Sequence, residues 1–114
     1  RALGNYVTYS VSKSAVIALA KSAALHCGAK GYKIRVNAVL PGVVETALIK
    51  QIIAKSGDEA GARAAYEGMS PLRRMATVEE VCGLVSWLGS DEAAFVSGAE
   101  YVIDGASTAG MMGV

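Results

Sequence analysis

The sequence carries little charge and no basic cluster. Charged residues make up 18% of its 114 positions, and the formal net charge at pH 7 is +1. Arg73 and Arg74 are the only adjacent basic pair. Nucleic acids and anionic membrane surfaces are bound by concentrated Lys and Arg side chains. The composition therefore argues against both kinds of partner.

Long hydrophobic runs are also missing, although 53% of the residues are hydrophobic. A membrane-spanning helix needs about 20 consecutive apolar residues. No window approaches that length, because lysines interrupt the apolar stretches at positions 13, 21, 33, 50 and 55. We therefore expect a soluble protein. Its high apolar fraction also predicts that much of its surface is covered by something else.

Cysteine and histidine are scarce. Cys27 and Cys82, the two cysteines, lie in apolar helical patterns and lack C-x-x-C spacing. We expect buried, reduced thiols rather than a disulfide or a zinc site, which favours the cytoplasm. His26 has no Cys, Asp or Glu at ligand spacing, so no metal site is predicted.

The chain begins with Arg1 and shows no signal peptide, and we expect that processing or truncation set this start.

Hydrophobic spacing predicts a long helix and then a buried strand. Small and apolar residues recur every three or four positions over about Tyr9–Cys27, and glycines follow. The run Ile34–Leu40 is mostly apolar and is closed by Pro41 and Gly42, which is typical of a strand followed by a tight loop. Because the run has few polar residues, we expect it to be buried on both faces, as parallel strands are.

Further helices and a second strand follow. Glycines divide Thr46–Glu67 into two short helical pieces that are suited to move as a flap. Thr77 stands three residues before Glu80, which is the spacing of a capping box, and it opens a helix that stops at Gly89. The last predicted strand covers about Glu100–Ile103.

Two strands are too few for a parallel sheet with both faces covered. A complete doubly wound sheet has about five or six strands and a Gly-rich turn after the first, and this sequence contains no G-x-G-x-x-G. We predict an α/β fold: the C-terminal portion of a Rossmann-type doubly wound parallel sheet, with about two strands and three or four helices. Residues 1–114 would then be the C-terminal half of a single domain, without its N-terminal dinucleotide-binding half.

Tyr9 and Lys13 form the pair that points to chemistry. They are four residues apart at the start of the predicted helix, so their side chains emerge on one face, one turn apart. A phenol is a poor acid or base at neutral pH, but a neighbouring ammonium lowers its pKa. The pair is therefore suited to proton transfer. The alternative is a solvated helix face without a catalytic role.

Five motifs occur in one order along the chain: Tyr9-Ser10-Val11-Ser12-Lys13, Arg35–Gly42 with Thr46, Pro71–Arg74, Glu79-Glu80-Val81, and Ser97-Gly98 leading to Asp104-Gly105. In these motifs the chain resembles the short-chain dehydrogenase/reductase family over nearly its whole length. The resemblance implies hydride transfer between NAD or NADP and a small-molecule carbonyl or secondary alcohol. Tyr9 would donate or accept the hydroxyl proton. Lys13 would hold the nicotinamide ribose and lower the pKa of that tyrosine.

The resemblance also implies which residues contact the cofactor. The loop after the first strand would meet the nicotinamide end, with the backbone at Val44 and the hydroxyl of Thr46 at the carboxamide. The alternative is an ordinary turn with a helix N-cap. The full set of implied cofactor residues is Tyr9, Lys13, Pro41, Gly42, Val44 and Thr46.

Part of the family's machinery is missing from the sequence. The catalytic serine of the family lies about a dozen residues before the tyrosine, but only eight residues precede Tyr9 and none is Ser. The catalytic asparagine and the residue that selects NAD or NADP belong to the absent half, and Asn37 is instead expected to tie backbone segments together. We therefore expect the fragment alone to be inactive.

Three functions remain open. The chain looks most like bacterial hydroxysteroid and secondary-alcohol dehydrogenases, and its apolar flap suits a hydrophobic substrate or core packing equally. A 3-oxoacyl-acyl-carrier-protein reductase would need a basic docking patch, for which Arg73 and Arg74 are thin evidence. A truncated, non-enzymatic interaction fragment would also explain the apolar composition. As an enzyme, the protein is expected to be a cytoplasmic homo-oligomer, a tetramer or dimer, with the first helix at an interface.

Overall fold

The part of the chain that the structure describes has an α/β fold, with four α-helices and a two-stranded parallel sheet. The structure is a computed structural model that describes the backbone of residues 7–110 and the side chains of residues 10–110. Met111 and Met112 lie outside the described residues. The elements are α1 (Val7–Ala29), β1 (Ala38–Pro41), α2 (Ala47–Ala54), α3 (Glu59–Glu67), α4 (Val78–Leu88), a 3-10 turn (Asp91–Ala93) and β2 (Glu100–Ile103).

The chain divides into two compact units. The first comprises the residues up to Val39 together with Trp87–Tyr101, and the second comprises Leu40–Ser86 and the residues from Val102 onward. In the first unit the Ala38 N–H donates to the Ala99 carbonyl at 2.9 Å. In the second the Gly42 N–H donates to the Ile103 carbonyl, also at 2.9 Å. These two bonds lie at the start and the end of the pairing between β1 and β2.

Two polar side chains organise the first unit where β1 begins. The Asn37 amide nitrogen donates to the Val96 carbonyl at 2.9 Å, and its oxygen accepts from the Ala99 N–H at 3.1 Å. The Arg35 guanidinium donates to the carbonyls of Val96 at 3.2 Å and Leu88 at 2.7 Å. The expectation that Asn37 ties backbone segments together is confirmed.

The strand prediction needs two corrections. β1 starts at Ala38 rather than Ile34, because residues 35–37 use side chains and irregular backbone bonds to reach the segment 96–99. Burial on both faces is also wrong. Ala38 is buried, but Val39 and Leu40 are half-buried and Ile34 is 57% exposed. Among the described residues β2 is the one strand beside β1, so the second edge and much of both faces lack cover.

The helices of the second unit begin as their caps dictate. Thr46 accepts the Ile49 N–H at α2, and Asp58 accepts the Gly61 N–H at α3. The predicted capping box of α4 is confirmed, since the Glu80 N–H donates to the Thr77 hydroxyl at 3.1 Å. The Glu80 carboxylate in turn accepts the Thr77 N–H at 2.9 Å. The two helical pieces between Thr46 and Glu67 are likewise present.

The expected burial of the cysteines is wrong. Both thiols are free, but Cys27 is half-buried and Cys82 is exposed. Helical spacing marks a face correctly, yet it does not supply the layer that would cover that face. Trp87 packs edge-on against Tyr101, with ring centroids 5.7 Å apart. No helix in the described part of the chain combines the length and the apolar character needed to cross a bilayer.

Replacing Asn37 with Ala should lower the free energy of unfolding by about 1–3 kcal/mol, because it removes two half-buried hydrogen bonds. The measurement is urea denaturation of the complete polypeptide that carries these residues. Gln51→Ala, on the exposed side of α2, is the control and should change the free energy by less than about 0.5 kcal/mol. Equal effects of the two substitutions would contradict the role of Asn37.

Candidate active site

The catalytic pair predicted from the sequence lies on α1. Positions 9 and 13 belong to the continuous helix Val7–Ala29 and are one turn apart. The side chain of Tyr9 lies outside the described residues. Lys13 is exposed and engages in an interaction of its own. The helix therefore supplies the spacing that an acid–base pair of this kind needs.

The predicted cofactor loop leaves the end of β1. Pro41 is the last residue of the strand, and a Cβ added to Gly42 would lie 2.9 Å from the Cα of Asp104. A side chain at position 42 would therefore push apart the two strand ends, so glycine is required there by packing. The glycine of the motif has a structural role within the second unit that its spacing in the sequence does not reveal.

Backbone bonds hold the rest of this loop against the segment before α4. Val44 forms a parallel bridge with Ala76. The Ala76 N–H donates to the Val43 carbonyl, and the Glu45 N–H donates to the Ala76 carbonyl, each at 2.9 Å. Sequence reasoning missed Ala76, because nothing in its residue type marks a partner more than 30 positions away.

Thr46 ends the loop and begins α2. Its hydroxyl oxygen accepts the Ile49 N–H at 3.3 Å, and its own N–H donates to the Val44 carbonyl at 2.8 Å. The N-cap alternative raised for this residue is therefore what the structure shows. Capping uses one lone pair of the hydroxyl, which also carries a donor hydrogen. A cap and a contact with a bound carboxamide are chemically compatible.

An ion pair that the sequence analysis did not find links the loop to α3. The Arg63 guanidinium binds the Glu45 carboxylate, and it also donates to Glu67 at 3.3 Å. The hydrogen bond and the charge of Arg63 lower the pKa of Glu45, while the bond to Glu45 raises the pKa of Arg63. The spacing of Arg63 and Glu67 indicates a pair on one helix face, but the contact with Glu45 depends on the fold.

A second ion pair holds the start of α4. Both terminal nitrogens of Arg74 bind the Glu80 carboxylate, at 2.9 and 2.7 Å, and one also donates to the Met75 carbonyl at 3.1 Å. Arg74 therefore anchors the loop before this helix. The hydrogen bond from Arg74, followed by that from the Thr77 backbone, lowers the pKa of Glu80 to about 2.

The structure brings the predicted residues together in two sets. Pro41 ends β1 and Gly42, Val44 and Thr46 follow in the loop, while Tyr9 and Lys13 share one helix. The helix belongs to the first compact unit, and the loop with Pro41 belongs to the second. Within residues 10–110, no three His, Cys, Asp or Glu side chains are grouped so that they could hold a metal ion.

Comparison with known proteins decides the family. Residues 1–108 match the family model described as enoyl-(acyl carrier protein) reductase. The chain is 36% identical over 101 residues to an NADP-dependent (R)-specific alcohol dehydrogenase of Lentilactobacillus kefiri. The matched region covers 89% of this chain and 38% of that enzyme. The chain belongs to the short-chain dehydrogenase/reductase family.

Solved structures of short-chain dehydrogenases share the fold. A short chain dehydrogenase family protein from Francisella tularensis matches with a TM-score of 0.83 and 37% identity over 96% of this chain and 46% of that one. A 4-hydroxyisoleucine dehydrogenase complexed with NADH matches with a TM-score of 0.76 and 30% identity. That match covers 90% of this chain and 40% of the dehydrogenase chain. The predicted Rossmann-type fold class is confirmed. The chain spans less than half the length of each of these relatives.

The Glu80 carboxylate should make the stability of the protein depend on pH in acid. Its pKa is about 2 in the folded protein against an ordinary 4.5, so its contribution is complete above about pH 4.5 and is lost as pH falls toward 2. The melting temperature of the complete polypeptide should therefore exceed that of Glu80→Gln at pH 6, and the difference should shrink toward pH 2.

Glutamine keeps an oxygen for the Thr77 N–H, so Glu80→Gln isolates the charged contact with Arg74. Glu79→Gln is the matched control, since Glu79 is also exposed in the first turn of α4. At pH 6 it should lower the melting temperature less than Glu80→Gln does, because it leaves the contact of Glu80 with Arg74 in place. A constant gap between the wild type and Glu80→Gln from pH 6 to pH 2 would contradict the assignment.

Proposed function

We propose that residues 1–114 are the C-terminal half of a single Rossmann-like domain, whose N-terminal half carries the dinucleotide-binding Gly-rich turn. The coverage of 38% to 46% of the relatives supports this. The absence of G-x-G-x-x-G from the sequence and the presence of two strands in the described part support it as well. The complete domain is an oxidoreductase that acts on a carbonyl or secondary alcohol with NAD or NADP.

The observation that carries the catalytic proposal is the unbroken helix through positions 9 and 13. Tyr9 is the general acid and base that gives a proton to the carbonyl oxygen or takes one from the alcohol. Lys13, one turn further along, contributes a positive charge that favours the phenolate and donors for ribose hydroxyls. A bound nicotinamide supplies or accepts the hydride.

The loop fits the nicotinamide end by its donors and acceptors. A carboxamide offers one acceptor and two donor hydrogens. Against these the loop has the backbone groups of Val44 and the hydroxyl of Thr46, whose capping bond leaves its hydrogen free to donate. Pro41 and Gly42 fix where this loop leaves β1. These residues would hold and orient the carboxamide.

Either nicotinamide dinucleotide remains in the proposal. The Lentilactobacillus kefiri relative is NADP-dependent, and the 4-hydroxyisoleucine dehydrogenase is complexed with NADH. For the substrate we propose a hydrophobic alcohol or ketone, hydroxysteroid-like or similar. Leu48 and Ile52 support it, because α2 leaves them 64% and 43% exposed. A cytoplasmic homotetramer or homodimer completes the proposal, and the two free thiols are compatible with that location.

A second candidate is a reductase acting on acyl-carrier-protein substrates, which the description of the matched family model favours. Such an enzyme needs a basic surface for an acidic carrier protein. Arg74 is already paired with Glu80, so the adjacent pair Arg73 and Arg74 offers little free positive charge. We therefore prefer the small-molecule alcohol or carbonyl. A truncated interaction fragment is the third candidate.

The intact mass of the purified polypeptide separates the third candidate from the other two. If these residues are half of a domain, the mass should be at least about twice their 11.7 kDa. Binding of NAD and NADP is then measured by calorimetry. A mass of 11.7 kDa would contradict the joined domain and favour the interaction fragment.

In the complete polypeptide, Tyr9→Phe should reduce turnover by at least about a hundredfold, the lower end of what a positioned acid or base contributes. Dinucleotide affinity should stay within about threefold, because the phenyl ring is preserved. Steady-state kinetics and calorimetry measure the two effects.

Tyr32→Phe is the matched control, since Tyr32 is exposed and packs edge-on against His26 in the same unit. It should leave turnover unchanged. Near-normal turnover of Tyr9→Phe would overturn the catalytic proposal and favour a solvated helix face. A loss of folding in both variants is recognised by far-ultraviolet circular dichroism and would also contradict the expected result.

A further inference from the structure

The helix α3 has little apolar packing to hold it. None of its nine residues is buried, and its N-cap, Asp58, is exposed. An element with few buried apolar contacts opens easily. Its polar contacts to other segments therefore have a large share in fixing its position within the second unit.

Arg63 makes the contact that joins α3 to the cofactor loop. Its guanidinium binds two carboxylates, Glu67 on the same helix and Glu45 in the loop. The side chain of Arg63 is 43% exposed and that of Glu45 is 27% exposed, so the pair is partly shielded from solvent. The pKa of Glu45 is lowered and that of Arg63 is raised, as expected for charges that stabilise each other.

Glu45 stands between the two residues that the proposed function places at the carboxamide. Val44 precedes it, and Thr46 follows it and caps α2. The Glu45 backbone is already tied to Ala76 through its N–H, at 2.9 Å. Its side chain adds a second contact, with Arg63. Glu45 is therefore bound through both its backbone and its side chain, and it lies between two candidate cofactor contacts.

We propose that Arg63 is a positioning residue of the cofactor loop. By holding the Glu45 carboxylate, its guanidinium keeps Val44 and Thr46 in the arrangement that a nicotinamide carboxamide requires, before any dinucleotide binds. This inference rests on the proposed function. It adds a residue that lies outside the family motifs and reaches the site from α3 through its partner in the loop.

The chemistry of the pair explains why arginine suits this position. The planar guanidinium presents several donors at fixed angles and can bind two carboxylates at once. A lysine ammonium carries the same charge but lacks this fork. Arg63→Lys should therefore keep part of the ordering of the cofactor loop, whereas Arg63→Gln should remove that ordering.

The test compares the complete polypeptide with Arg63→Gln, Arg63→Lys, Glu45→Gln and the double variant Arg63→Gln/Glu45→Gln. Glu67→Gln is the matched control, because it removes the partner on α3 and leaves the contact with Glu45. Two measurements are made: amide hydrogen exchange of residues 43–49 without cofactor, and the dissociation constants of NADH and NADPH by calorimetry. Steady-state kinetics then separates KM from kcat.

In Arg63→Gln, amides 43–49 should exchange faster, and the dissociation constant of the preferred dinucleotide and its KM should rise about two- to fivefold, the range for a partly exposed ion pair. The kcat at saturating dinucleotide should change less, because bound cofactor orders the loop. Glu45→Gln should give the same result, and the double variant should be no worse than either single variant.

The inference is overturned if Arg63→Gln exchanges and binds like the wild type, or if Glu67→Gln gives the same changes. A fall in melting temperature without a change in exchange or affinity would show a structural role alone and would overturn it as well. Failure of the proposed function is recognised separately. In that case the wild type binds neither dinucleotide, while the exchange measurement still tests whether Arg63 orders residues 43–49.

Discussion

The Asn37 side chain sits where β1 begins and uses both ends of its amide on the segment that leads into β2. A parallel pair of strands has no hairpin turn to set its register, so side-chain contacts at the strand ends have to do so. At the other end, Gly42 approaches Asp104 so closely that a Cβ has no room. Asn37 thus holds the strand pair where β1 begins, and Gly42 holds it where the cofactor loop begins.

The cofactor loop inherits that register from β1. It leaves the strand at Gly42, bridges Ala76 at Val44 and passes directly into the cap of α2 at Thr46. Each contact uses backbone groups or a short side chain, so little freedom remains between the strand and the helix. The ion pair of Arg63 with Glu45 then acts on a segment whose two ends are already fixed. A partly exposed ion pair contributes modestly to stability in general. It contributes more where the segment that carries it has few conformations.

Local signals were predictable from the sequence, but the partners in contacts between distant segments were not. The Thr77–Glu80 capping box involves residues three apart and was found by spacing alone. The roles of the site residues came from the family resemblance that the motifs carry. Glu45 and Arg63 are 18 positions apart, and no pattern in the sequence couples them. The error in the predicted burial of Cys82 has the same origin, because spacing defines a helix face but not what covers it.

The exposed apolar surface gives the half-domain proposal its physical reason. Among the described residues, the buried apolar positions are few, and three of them are alanines. Meanwhile Leu19 is 68% exposed and Phe95 is fully exposed. Apolar burial is the main favourable term in folding, so a chain with this composition and this small core gains stability chiefly by covering such residues. A further half of the same sheet would supply that cover along the free edge of β1, and the Gly-rich turn that this sequence lacks.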